Sequence, residues 1–175
     1  MVWLILGPSG AGKSSFGQWL NSERNWLHIE IDRFPEGDGI ALNNLSYEWN
    51  AFCDSRNGEP LRVILRKRLE ERSKAHGVMT FPGNLVLSPD HMDAATQTGI
   101  RTIYLYGSAA HCITAFLDRE RQTGGNLDLS HWILNNKDSY LKISEPVFAS
   151  SRIHVFTHTG TRRPHTEVFE ALIHG

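Results

Sequence analysis

Long apolar runs are missing from this chain. No stretch of its 175 residues approaches the roughly 18 apolar positions needed to span a bilayer. The apolar start is too short for the core of a secretion signal and has no basic segment before it. A cytoplasmic protein without a membrane partner is therefore expected. Cysteine is scarce. Cys53 and Cys112 are the only two, neither sits in a metal-type pair, and both read as free thiols. The nine histidines are scattered without convincing ligand spacing, which argues against structural zinc. An excess of charge of either sign is also absent. Eighteen Lys and Arg against nineteen Asp and Glu leave a net charge of −1, so no strong field draws the protein to nucleic acid or an acidic membrane. Low-complexity tracts, internal repeats and linkers are lacking too, and the length suits one domain, 1–175, with a proper core.

What is present begins six residues in. Gly7-Pro8-Ser9-Gly10-Ala11-Gly12-Lys13-Ser14, followed by Ser15, is a complete G-x-x-x-x-G-K-[ST] phosphate-binding loop. Its glycines let successive N–H groups curl around a polyphosphate. Lys13 is placed to reach the β- and γ-phosphates, and the Ser14 hydroxyl suits Mg²⁺. The next helix turns its positive N-terminal end toward the same anion. At ordinary glycine usage such a string arises by chance in roughly one chain of this length in a few hundred. Context narrows the odds further. Residues 2–6 form an unbroken apolar run, the pattern of a strand buried on both faces. Phe16, Trp19 and Leu20 then recur at i, i+3, i+4 as a helical stripe. Strand, loop and helix in that order are the setting the motif requires.

Strand and helix patterns alternate through the rest of the chain. Strands are expected at 26–32, 78–81, 101–106 and 153–157. Helices are expected at 47–55, at 60–75 with Gly77 as its stop, after the Ser88-Pro89 cap, at 109–121, through residue 140 and beyond, and at 164–173. Five strands separated by helices predict an α/β three-layer sandwich with a five-stranded parallel sheet of P-loop NTPase type. Ligands of such sheets bind at the carboxyl ends of the strands.

At that end of the second strand stand Glu30 and Asp32, with Cα atoms roughly 7 Å apart on one face. A carboxylate here can hold Mg²⁺ through water or accept the proton of an attacking hydroxyl. Asp32, nearer the edge, takes the base role, and Glu30 supports the metal. Motor-type and GTPase relatives of the loop end a hydrophobic strand in Asp. Here strand three ends Thr80-Phe81-Pro82-Gly83-Asn84 and strand four Tyr106-Gly107-Ser108, neither with an acid. There is no D-x-x-G switch, and Asn135-Asn136-Lys137-Asp138 misses the guanine reader N-K-x-D by its order. That pattern suits transfer of phosphate to an acceptor better than a hydrolytic switch.

On these residues the chain resembles the small P-loop kinases of the nucleoside-monophosphate-kinase fold group, most closely the shikimate- and gluconate-kinase type. The resemblance covers nearly the whole chain by element order, with the phosphate loop as its one highly specific motif. It implies ATP and Mg²⁺ as cofactors. Glu30 and Asp32 resemble the Asp-x-Asp of shikimate kinases, whose first acid supports Mg²⁺ and whose second contacts the acceptor hydroxyl. Where those kinases carry Gly-Gly-Gly, this chain has Pro82-Gly83-Asn84, a departure that speaks against shikimate itself. Gly83 would allow close backbone approach to an acceptor, and Asn84 would bond to it. The resemblance makes about 33–60 the acceptor cover, with Arg33 and Arg56 as clamps on an acidic acceptor and Tyr47 and Trp49 as its walls. It makes about 119–140 a lid, in which Arg119 or Arg121 stabilises the transferring group. Two residues apart on a helix point about 200° apart, so at most one of the two faces the phosphates. The loop at 157–164 would lie beside the base, with Arg162 or Arg163 stacking on it; nothing separates adenine from guanine.

The expected function is ATP- and Mg²⁺-dependent phosphotransfer to a hydroxyl of a sugar acid, a shikimate-like acid or a nucleotide. Partners are ATP or ADP and that acceptor, with the chain a monomer or weak dimer. A nucleoside or polynucleotide kinase and a non-catalytic nucleotide-binding module remain the alternatives.

Overall fold

The computed structural model describes residues 1–31, 48–49, 51–81, 86–125 and 127–174. Its elements run β1 (Val2–Leu6), α1 (Lys13–Glu23), β2 (Leu27–Glu30), α2 (Glu59–Glu71), β3 (Gly77–Thr80), α3 (Pro89–Gln97), β4 (Ile100–Tyr106), α4 (Ala109–Thr123), α5 (Leu129–Ile143), a 3₁₀ turn (Pro146–Ser151), β5 (Arg152–His154) and α6 (His165–His174). A further helical stretch covers 48–49 and 51–55. The strands form one five-stranded parallel sheet in the order β2-β3-β1-β4-β5, with helices on both faces. Among the described residues no helix is long and apolar enough to cross a membrane.

By contact density the chain divides into two units. The first holds most of β1 together with β2, β3, α2 and α3. There β3 pairs with β1 in the register Val2↔Gly77 and with β2 in the register Glu30↔Thr80. Every residue of β1 and β3 is buried, which is why both lack the alternation of a one-sided strand. β2, at the sheet edge, is half-buried throughout and does alternate. Leu61 and Leu65 turn the apolar stripe of α2 inward. The expected stop of this helix at Gly77 is corrected. α2 ends at Glu71, and Ser73 takes a left-handed conformation with φ 52°. Gly77 instead opens β3, paired with Val2 of β1 and Leu27 of β2, where a Cβ would press on Leu69 of α2 at 3.3 Å.

The second unit carries the loop from Leu6 to Phe16, most of β4, and β5 with α4, α5 and α6. Ser108 caps α4 by accepting the His111 amide, and Gly124 ends it with φ 67°. Asp128 caps α5 at its start, and at its end Arg152 Nη1 donates to the carbonyls of Ile143 and Ser144. Tyr104 and Phe148 meet edge to face at 5.5 Å in the core, both fully buried. Such side chains contribute about 1.5–3 kcal/mol each on burial. The last strand is shorter than its apolar pattern suggested. After the Val155 amide bonds Tyr106 O at 2.9 Å, Phe156 turns back to form an antiparallel bridge with Arg162.

Candidate functional site

The phosphate loop begins where β1 stops. Gly10 and Gly12 have φ of 88° and 87°, a conformation that side-chain-bearing residues rarely adopt. Space enforces the same choice. A Cβ on Gly10 would strike the Cys112 carbonyl of α4, and one on Gly12 would strike the Arg162 guanidinium.

Each carbonyl from Gly7 to Gly12 is held by a donor. Lys13 Nζ donates to Gly7 O at 2.8 Å and Pro8 O at 3.3 Å. Trp132 Nε1 donates to Ser9 O at 3.0 Å. Arg162 Nη2 donates to Gly10 O at 2.7 Å and its Nη1 to Ala11 O at 3.2 Å. The Phe16 amide takes Gly12 O at 2.9 Å as α1 gets under way. In a planar peptide the N–H points opposite to the C=O. Engaging the oxygens therefore turns the amides of the loop the other way, into an anion-binding nest. Lys13, Ser14 and Ser15 add the first-turn amides of α1, which have no acceptor within their own helix, and the helix dipole reinforces them. Lys13 is only 7% exposed; a cation so enclosed is held by its carbonyl partners.

Two further elements brace the loop. The Ser9 amide donates to Asn136 Oδ1 at 2.8 Å, on α5. His165, the first residue of α6, lies with Nε2 3.3 Å from Ser15 Oγ and its ring 5.7 Å from that of Phe16. Partial burial, then the charge of Arg162, hold the His165 pKa below its ordinary value. Desolvation likewise pulls Arg162 down, though a guanidinium stays charged. Cys112 lies beneath the loop. Burial pushes its thiol up to about 11, against the opposing pull of Arg162 and Lys13.

In the first unit, Glu30 sits at the carboxyl end of β2. Its Oε1 is buried and has no hydrogen-bond partner among the described residues, and the same holds for Glu48 Oε2. A buried polar atom without a partner is costly, so these oxygens mark positions that suit a ligand. Trp49, expected as an acceptor wall, is buried against Phe81 at 4.5 Å and Phe52 at 5.5 Å. Arg56 is exposed, with φ 58°, and pairs with Asp90 at 3.1 Å. Asp32, Arg33, Tyr47, Gly83 and Asn84 lie outside the described residues. No group of three or more His, Cys, Asp or Glu is placed to hold a metal by itself among the described residues.

Solved structures share this fold. A sugar kinase from Janibacter sp. aligns over 99% of this chain and 92% of its own, at 17% identity and a TM-score of 0.53. A gluconokinase from Sinorhizobium meliloti aligns over 98% and 89%, at 19% identity and 0.51. Shikimate kinase from Acinetobacter baumannii, solved with shikimate, aligns over 99% and 93%, at 17% identity and 0.50. The chain has the fold of the small P-loop kinases. No family model matches its sequence, and no curated protein does.

Within this P-loop kinase fold, the expected lid arginines sit on the last turns of α4. Arg119 Nη2 pairs with Glu120 at 2.6 Å, and its guanidinium lies 5.2 Å from the centre of the Phe116 ring. Arg121 pairs with Asp118 at 2.7 Å. α4 stays helical through Thr123, so the two point to different sides, as the sequence reading required. Arg162 lies 5.0 Å over Phe156 and on the loop carbonyls, where a stack on the base was expected. Arg163 donates to His154 O and pairs with Glu167. Sequence reasoning missed Trp132, Asn136 and His165. One signal for the first two was present: 132, 136, 139 and 143 form a buried helical stripe with polar members in its middle.

Proposed function

We propose that this chain is an ATP- and Mg²⁺-dependent kinase that phosphorylates a hydroxyl of a small metabolite, a sugar acid, a shikimate-like acid or a nucleotide. One observation carries the reading. Every loop carbonyl from Gly7 to Gly12 is tied to a donor, which leaves an amide-lined nest with Lys13 suited to a polyphosphate. The fold shared with sugar-acid and shikimate kinases supports the choice of reaction.

Lys13 and the amides of Gly10 and of Gly12 to Ser15 bind the phosphates, the Ala11 amide being turned back onto Pro8 O at 3.1 Å, with Arg162 shaping the nucleotide side of the loop. Glu30, whose buried Oε1 has no hydrogen-bond partner among the described residues, is assigned to Mg²⁺, as is the Ser14 hydroxyl, and Asp32 follows two residues later in sequence. When bound, the ion neutralises charge on the β- and γ-phosphate oxygens. Asp32 orients the acceptor hydroxyl and takes its proton. Arg119 or Arg121, released from its ion pair, stabilises the transferring group within a lid at about 119–140. Arg33, Arg56, Gly83 and Asn84 hold the acceptor under the 33–60 segment.

ADP release from ATP and Mg²⁺ tests this across a panel of sugar acids, shikimate-like acids, nucleosides and nucleotides. One class should support turnover, and Lys13→Ala should reduce it by at least about a hundredfold while leaving the thermal transition in place. Tight ATP binding with no release on any acceptor would make the chain a nucleotide-binding module instead.

A further inference from the structure

We infer that Asn136 and Trp132 are positioning residues of the phosphate loop, which together set the backbone of Ser9 and so the direction in which the following amides face. The two side chains reach one residue from the same helix, four positions apart, across 127 and 123 residues of sequence. Asn136 Oδ1 accepts the Ser9 N–H at 2.8 Å, and Trp132 Nε1 donates to the Ser9 C=O at 3.0 Å. The first bond holds the peptide unit before the Ser9 Cα and the second the unit after it. With both planes held, the two soft torsions of Ser9 are fixed.

The clasp is built to keep its own orientation. Asn136 Nδ2 donates to Trp132 O at 3.0 Å, one turn back, so the amide presents its oxygen and not its nitrogen to Ser9. Ser139 Oγ donates to Asn136 O at 3.0 Å. Asn136 and Trp132 are 2% and 3% exposed. Burying an amide and an indole N–H is tolerated when each finds a partner, and here both find the loop. Both side chains bond to Ser9, outside the amides of Gly10 and of Gly12 to Ser15 assigned above to the phosphates. Their contribution therefore runs through loop geometry and not through contact with the nucleotide.

This inference rests on the kinase reading, and two measurements separate them. The first is hydrogen exchange at the Ser9 amide in nucleotide-free protein. The second is calorimetric titration with ADP and Mg²⁺. In Asn136→Ala the Ser9 amide should lose its protection and ADP affinity should fall about tenfold, or about 1.4 kcal/mol. That is near the free energy of ordering one residue's backbone. In Trp132→Phe, which keeps an aromatic body and loses the N–H, affinity should fall a fewfold. For both, KM for ATP should rise by more than kcat falls. Asn136→Asp keeps the acceptor, so Ser9 should remain protected even though the added charge weakens ADP binding. Protection in Asn136→Ala equal to the parent's would overturn the clasp, as would unchanged ADP affinity in both variants. Should Asn136→Ala fail to fold, Trp132→Phe decides by the same two readings. A parent protein that binds no ADP would sink the kinase reading while leaving the exchange result to decide the clasp.

Discussion

Arg162→Met removes the side chain that holds the Gly10 and Ala11 carbonyls of the phosphate loop. Its guanidinium donates at 2.7 Å to Gly10 O and at 3.2 Å to Ala11 O, and lies 5.0 Å over Phe156. Hydrogen bonds from a charged donor contribute roughly 1.5–3 kcal/mol where water is excluded. Arg162 is an exposed residue whose guanidinium is partly desolvated against the loop, so the lower end applies, further reduced by screening. The longer of the two bonds is also the weaker. Together with a cation–π contact of about 0.5–1 kcal/mol, the expected loss is about 2 kcal/mol. At a urea m-value of about 2 kcal/mol/M this moves the unfolding midpoint by about 1 M. Because the same bonds turn the amides inward, ADP affinity should fall about tenfold in parallel. Arg162→Lys sharpens the test. A lysine keeps the charge but offers a compact point donor in place of a planar fork, so it should behave more like Met than like the parent. A midpoint within 0.1 M or so of the parent for Met, given that m-value, would refute the bracing role. Full rescue by Lys would assign the effect to charge alone.

Two further outcomes follow from the same region. His165 has its pKa depressed by burial and by Arg162, so below its unfolded value of about 6.5 the unfolded chain takes the proton first. Stability should therefore hold above that pH and decline as pH falls through it. Arg162, Ser15 and Phe16 face the ring, and His165→Gln should flatten this acid limb relative to the parent; an identical limb in both proteins would refute it. Cys112, with its thiol at about 11, holds almost no thiolate at pH 8. In a Cys53→Ser background, a disulfide reagent should find no rapidly reacting thiol in native protein and one in denaturant. Fast native reaction would contradict the packing beneath the loop.

The sequence made legible whatever its local chemistry determines. The loop, the buried run of β1 and the Ser88 cap are read within a few residues, and each stands where expected. Gly77 misled because glycine serves both helix ends and strands, and the residues that pair with it, Val2 and Leu27, are far away in sequence. The supports of the loop were hidden for the same reason. Trp132, Asn136, Arg162 and His165 reach it across 123 to 152 residues, and no local period encodes such a pairing. Trp49 was ambiguous by nature, since an aromatic beside an acceptor region serves equally as a wall or as core.

The donors on the loop carbonyls also set an order of assembly. Gly7 to Ser14 are made well before Trp132 and Arg162, the side chains that hold the carbonyls of Ser9, Gly10 and Ala11 across 123 to 152 residues. Contacts this distant form slowly and late. Until then the glycines are a floppy tether with no defined amide direction. The motif should thus become competent only after these later side chains have docked. Stalled or C-terminally clipped chains would carry the entire consensus and bind no phosphate.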